Sequence, residues 1–229
     1  MPILRFQLET AQGSRAADVP IDRLVIAGWT GRDASAVRHH IEELARLGVN
    51  PPSQVPLFYR AGAALLTQEV ELEVLGARSS GEAEPMLFGF EGELWLTVGS
   101  DHTDRAVEAY SVAVSKQMCP KPVAGTAWRY REVAADWDRL RLCATIVEGA
   151  RSTTYQEGTL ALMRPPEDLL PRFTGGTAAL PDGTLMSCGT LGAIGGVRAA
   201  EEFAMELSDP ARGRRIAHRY RARPLPAVA

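Results

Sequence analysis

The sequence predicts a mixed α and β chain in which strands dominate, folded as a rolled mixed β-sheet or β-sandwich with a few short helices. Three observations carry that expectation. Apolar and polar residues alternate at period two in most patterned segments, and helical spacing is confined to three stretches. Strand and helix also fail to alternate in the regular way that a parallel sheet of βαβ units requires. At 229 residues, 45% of them apolar, the chain is long enough for one substantial core.

Taken in order, PILRFQLE (2–9) and RLVIAG (23–28) read as strands. DASAVRHHIEELARLGV reads as a helix: Asp33 or Ser35 caps it, Val37, Ile41 and Leu44 recur at helical spacing, and Gly48 stops it. The prolines of NPPSQVPLF dictate an extended connection. LLTQEVELEVLG (65–76) alternates as a strand, and EAEPMLFGF and ELWLTVG form a hairpin about Glu91 and Gly92. A helix over 104–117 follows, and CPKPVAGTAW after it is an ordered loop. RLRLCATIVEG, TYQEGTLALM, TLMSCGTLGAIGG and EEFAMELSD continue the strand series, interrupted by a short helix in PPEDLLPRF. Residues 1–23 are read as an N-terminal extension, and 24–229 as the main domain.

Composition excludes several classes. A net charge of −3 leaves no electrostatic footprint for nucleic acid, and the basic run Arg212–Arg223 is interrupted by Ile216 and Tyr220, as a solvated face would be. No apolar stretch is long enough to span a bilayer, and the N-terminus lacks the basic-then-apolar pattern of a leader, so a cytoplasmic protein without membrane or nucleic-acid partners is expected. Cys119, Cys143 and Cys188 are odd in number and far apart, which suits core thiols better than disulfides or zinc.

The acids are less easily dismissed. Glu82 and Glu84 alternate on one face of a strand, and the hairpin register sets Glu84 opposite Gly99 to Asp101, so three carboxylates converge. Such a cluster is costly without a cation, and all-oxygen ligation selects a hard divalent ion. A plain solvated face accounts for the pattern too, and Glu69, Glu71 and Glu73 form a competing set at the same period. On the first helix, His40 and Glu43 lie on one flank of the apolar stripe, either as an ordinary helix pair or as a base able to deprotonate water. His102 is open to either face of its strand, and His218 reads as a surface residue.

In order, HIEELARLGVNPPSQVPLFYR, GEAE, GSDHTDR, SKQMCPKPVAGTAW, YQEGTLALM and CGTLGAIGG resemble the fumarylacetoacetate hydrolase family over residues 24 to 220. Its members carry His-x-x-Glu on a short helix, a Glu-x-Glu strand, an aspartate followed by an arginine, a lysine before a proline-rich loop and a late Gly-Thr. SDHTDR and SKQ are more similar still to an uncharacterised bacterial branch. The resemblance implies the rolled sheet of that family's catalytic domain over 24–229, a homodimer, and one Mg2+ or Mn2+ on Glu82, Glu84 and Asp101. It further implies a water-activating dyad of His40 and Glu43, charge stabilisation by Lys116, and substrate contacts from Arg105, Tyr155, Gln156, Gly189 and Thr190. Two departures stand out. GWTGRD replaces the family's Asn-Tyr before the histidine, and the spacer between Glu84 and Asp101 is short, whereas Glu71 and Glu73 would restore the usual spacing.

The implied activity is metal-dependent hydrolysis of a carbon–carbon bond in a 2-oxo or 1,3-dicarbonyl acid of the acylpyruvate kind. Decarboxylation or isomerisation of a small oxo acid is the alternative, and a non-catalytic binding protein for small acids is the alternative of another class.

Overall fold

Alternation in β1 (Ile3–Thr10) puts Leu4, Phe6 and Leu8 on one face and Ile3, Arg5 and Gln7 on the other, and only the first set is buried. The computed structural model describes residues 1–46, 50–149 and 151–228, without the side chains of His40, Glu43 and Leu44. The chain continues through β2 (Gly13–Pro20), β3 (Arg23–Gly28), α1 (Ala34–Arg46), β4 (Leu57–Ala61), β5 (Leu66–Thr67), β6 (Glu71–Leu75) and β7 (Ser79–Ser80). The hairpin strands β8 (Ala83–Phe90) and β9 (Glu93–Ser100) lead into β10 (Thr103–Asp104), α2 (Arg105–Tyr110), α3 (Val112–Met118), β11 (Lys121–Pro122) and β12 (Thr126–Arg129). The last part holds β13 (Arg141–Glu148), β14 (Arg151–Thr159), α4 (Pro166–Thr174), β15 (Thr184–Ser187), β16 (Glu202–Asp209) and β17 (Arg214–Leu225).

These strands form an eight-stranded sheet, in the order β2-β1-β12-β9-β8-β15-β3-β4, and a five-stranded sheet, in the order β14-β13-β16-β17-β6. Parallel pairs (β1 with β12, β15 with β3, β17 with β6) sit among antiparallel ones, so the sheets are mixed as expected. One core lies between the two sheets: Val25, Leu87 and Val98 meet Leu142, Phe203 and Ile216 there. A second gathers Leu4, Phe6 and Val19 over Ile26, Met86 and Phe88, with Phe6 stacked on Phe88 at 4.5 Å. Strands β3 and β8 are therefore buried on both faces, which is why their sequences are nearly continuous apolar runs. The residues read as an N-terminal extension supply β1 and β2 to the larger sheet.

The β8–β9 turn follows the expected chemistry. Glu91 (φ 53°) and Gly92 (φ 70°) both take left-handed backbone, the geometry that joins two twisted strands through a two-residue loop. The resulting register pairs Glu84 with Gly99 and Ala83 with Ser100.

Several elements differ from expectation. The single strand expected over 65–76 is split into β5, paired with β11, and β6, paired with β17. Between them the Gln68 side chain accepts from Arg5 N (2.8 Å) and donates to Arg5 O (2.9 Å), taking the place of a backbone ladder. The helix expected over 104–117 is two helices. Ser111 is extended (φ −157°), its N–H closes α2 on Val107 O (2.7 Å), and its hydroxyl accepts from Val114 N at the start of α3. The extended link over 50–58 ends in β4, which pairs with β3. The basic C-terminal run belongs to β17, where Ile216 and Tyr220 face the core while Arg215, Arg219 and Arg223 pair with Glu206, Glu202 and Glu73. No helix among the described residues is long and apolar enough to cross a membrane.

Candidate metal centre

The site is built where the β8–β9 hairpin opens. Asp101 N–H donates to Glu82 O (3.0 Å) and Glu82 N–H to Ser100 Oγ (3.1 Å), which binds the two strands together just beyond their ladder. Beyond it, β7 pairs with β10. Glu82, Glu84 and Asp101 thereby each offer one carboxylate oxygen, all within 4.8 Å of one another. Glu84 and Asp101 are buried, and Glu82 is the one nearest solvent, its side chain 18% exposed. The competing set lies elsewhere: Glu71 and Glu73 are exposed on β6, and Glu73 is taken by Arg223.

Three cations surround these acids. Lys116 Nζ, brought in by α3, donates to Asp101 Oδ2 and lies 3.8 Å from Glu82. Lys121 Nζ lies 2.8 Å from Asp101 Oδ1 and donates to His102 O (2.6 Å). Asp101 Oδ1 is buried, with Lys121 as its ion-pair partner. Arg105, first residue of α2, donates through Nε to Ser80 Oγ (2.6 Å) and through Nη1 to Glu108 (2.7 Å), and lies 3.2 Å from Glu82. Its Nη2 is buried and has no hydrogen-bond acceptor among the described residues.

Electrostatics separates the three acids. Burial, with the charges of Asp101 and Glu82, pushes the Glu84 carboxyl well above its ordinary range. Glu82 is also raised by burial, against the pull of Arg105 and Lys116. Burial would raise Asp101 too, but the two lysines outweigh it and hold that carboxyl below its usual value. The donor set is all oxygen, and burial with neighbouring like charge raises two of the three acids above their ordinary range. Those features fit a hard divalent cation.

The late Gly-Thr supports the acids from below. Gly189 N–H donates to Glu84 Oε2 (3.0 Å), and its φ of 96° and a Cβ position 1.8 Å from Thr30 Oγ1 leave room for glycine alone. Thr190 Oγ1 donates to Ala83 O (2.7 Å), and Gln156 accepts from Ala83 N while donating to Thr190 Oγ1 and Leu191 O. Gln156, Gly189 and Thr190 thus form one clasp around Ala83 and Glu84. Tyr155 is buried against Phe203. His40 and Glu43 belong to α1, whose first turn is capped by Asp33 Oδ1 accepting from Ser35 N and Ala36 N. Their side chains, and with them the dyad, lie outside the described residues.

Sequence reasoning missed Lys121, whose only local signal is a lysine held between two prolines, and Glu108, which shares Arg105 with Glu82. It also left His102 open. The ring is buried, with Nδ1 2.9 Å from Tyr220 OH and Nε2 2.8 Å from Ser79 Oγ, and burial together with Lys121 and Arg105 lowers its pKa to about 3. Between pH 6.5 and 3 the unfolded chain takes up a proton at this imidazole that the folded chain refuses, so stability from His102 is complete above 6.5 and is lost on acidification. Urea midpoints measured across that range are expected to fall more steeply for the wild type than for His102→Gln; parallel curves would contradict a neutral buried imidazole. His218, read as a surface residue, is half-buried beside Tyr220.

The rolled mixed sheet is the fold of fumarylacetoacetate hydrolase proteins among the solved structures it resembles. Similar solved structures include a candidate fumarylpyruvate hydrolase from Burkholderia cenocepacia (18% identity, TM-score 0.63, 99% of this chain and 98% of that one). A yeast fumarylacetoacetate hydrolase family protein, ynq8, matches at 14% identity and TM-score 0.63 over 91% and 95%. A 2-keto-3-deoxy-D-arabinonate dehydratase complexed with magnesium and 2,5-dioxopentanoate matches at 15% and 0.61 over 93% and 78%. At such identities the likeness is one of fold. The chain belongs to the family described as protein of unknown function, DUF2848, whose model matches residues 27–220. Among curated proteins none matches it in sequence.

Proposed function

We propose that this protein is a divalent-metal-dependent enzyme that hydrolyses a carbon–carbon bond in a small 2-oxo or 1,3-dicarbonyl acid. The observation that carries the reading is the convergence of Glu82, Glu84 and Asp101 beside Lys116 and Arg105. The names of the similar structures, a candidate hydrolase of fumarylpyruvate and a magnesium complex with an oxo acid, support the substrate class.

Glu82, Glu84 and Asp101 would hold Mg2+ or Mn2+. When bound, such an ion supplies Lewis-acid polarisation of the substrate oxygens. The free Nη2 of Arg105 is the donor available to a substrate carboxylate. His40, oriented by Glu43, takes a proton from water as the water oxygen adds to the distal carbonyl carbon. The bond between that carbon and its neighbour then breaks, and its electron pair passes into the enolate of the departing fragment. Lys116 donates to the oxygen on which that charge develops. Protonation of the enolate carbon completes the second product.

A second reading, decarboxylation or isomerisation of a similar acid, needs the same carboxylates and Lys116 but no activated water. It is favoured by the exposure of α1, none of whose described residues is buried, since a base on such a helix has no rigid support. Acylpyruvates incubated with the Mn2+-loaded protein are expected to yield pyruvate, and His40→Ala is expected to slow that by about 10²- to 10⁴-fold. Undiminished hydrolysis by His40→Ala would overturn the dyad. Loss of carbon dioxide or an isomeric product, unaffected by His40→Ala, would select the second reading.

A further inference from the structure

We propose that Tyr220, on the C-terminal strand, is a positioning residue for the carboxylate cluster and acts on it through Ser100 and His102; this rests on the reading of that cluster as a metal site. The tyrosine belongs to the five-stranded sheet, yet its hydroxyl reaches across the core to the hairpin of the other sheet. There it lies 2.9 Å from Ser100 Oγ and 2.9 Å from His102 Nδ1. Those two residues flank Asp101 on either side. Ser100 Oγ also accepts from Glu82 N–H, and His102 Nε2 continues to Ser79 Oγ, next to the Ser80 hydroxyl that accepts from Arg105.

One hydroxyl therefore ties together the segment that carries Glu82, the residues on both sides of Asp101, and the short strand that steadies Arg105. The approach is close by construction. A Cβ on Gly81 would come within 2.5 Å of the Tyr220 oxygen, so the backbone preceding Glu82 lies directly against it. The hydrogen bonds form one continuous chain, Ser100–Tyr220–His102–Ser79, in which each donor is used once whichever way the chain runs. This gives SDHTDR a physical meaning. His102 carries the network, Thr103 Oγ1 donates to Asp101 O (2.9 Å), and Asp104 caps α2 by accepting from Ala106 N and Val107 N. Each holds Asp101 or Arg105 in place without meeting the substrate.

Tyr220→Phe separates the hydroxyl from the ring, which packs on Phe203 with centroids 5.5 Å apart and stays in place. Isothermal titration of Mn2+ into the metal-stripped full chain is expected to show Kd weakened by about tenfold, as for partners that orient metal ligands elsewhere. Leu207→Ala is the control: it loosens the same core beside Ile216, four residues from Tyr220 along the strand, and is expected to lower the unfolding temperature while leaving Kd at the wild-type value. Ser79→Ala, which cuts the network at its far end, is expected to weaken Kd in the same direction and serves if Tyr220→Phe does not fold. Kd within about twofold of wild type in the network variants, or equal weakening in Leu207→Ala, overturns the proposal and leaves the metal reading intact. A wild type that binds no Mn2+ overturns the metal reading and this proposal with it.

Discussion

Mg2+ or Mn2+ added to the metal-stripped protein is expected to raise its unfolding temperature, with Glu84→Gln losing most of that rise and Glu71→Gln keeping it. Glu84 is buried among like charges, which raises its carboxyl well above the ordinary range, so an ion at the cluster competes with a proton. Glutamine preserves the acceptor for Gly189 N–H and removes the charge, so the change reports on ligation more than on packing. Glu71 is solvated on the outer face of β6 and has no part in the cluster. An ion present at about 100 times its Kd stabilises the folded state by about 2.7 kcal/mol, worth about 5–10 °C in a chain of this size. The shift is expected to grow with pH, because the proton competes with the ion. Without metal the sign is opposite. The folded state holds a proton on Glu84 that the unfolded state gives up above the ordinary carboxyl range, so stability from this group falls as pH rises through its folded value. Calorimetric scans at two pH values would test both; a rise abolished by Glu71→Gln, or absent altogether, would remove the ion from Glu84.

Lys116→Met is expected to lower kcat for acylpyruvate hydrolysis by about 10²- to 10³-fold while Mn2+ still binds. Burial works against this ammonium, but Asp101, Glu82 and Glu108 outweigh it and keep it charged. Asp101 retains Lys121, at 2.8 Å, when Lys116 is lost, so the carboxylate is not left unpaired in the interior. Removing a positive charge beside the cluster also removes a repulsion toward the ion, so Mn2+ affinity is expected to be no weaker than in the wild type. Steady-state kinetics beside a Mn2+ titration would separate these effects. An unchanged kcat would move charge stabilisation elsewhere, with Lys121 the next group to replace; lost ion binding would make Lys116 a support for Asp101 instead.

Much of the hairpin that carries the site was legible beforehand. Glu91 and Gly92 mark a tight turn, the flanking apolar residues fix which way each strand faces, and those two facts set Glu84 opposite Gly99 to Asp101; the structure pairs it with Gly99. The first helix was legible for similar reasons, its cap and its spacing both being local. Where expectation failed, the deciding partner was remote. Residues 65–76 alternate as one strand, but Gln68 is held by Arg5, and the two halves pair with β11 and β17. The arginines of the C-terminal run look like a charged surface, and they are, yet the alternate residues Ile216 and Tyr220 belong to the core.

The sequence by itself determined the strand-rich class and the β8–β9 hairpin, with its register to within two residues, because period, turn chemistry and side-chain direction depend on neighbours a few residues apart; the choice between Glu82, Glu84 and Asp101 and the acids of β6 it left open. Only the tertiary structure decided that Lys121 joins Lys116 on Asp101, that His102 is buried and neutral, and that Tyr220 reaches the hairpin from the other sheet. Those choices depend on which distant segments share a low-dielectric interior, where each buried charge or hydroxyl must find a partner. Local pattern carries no record of that pairing.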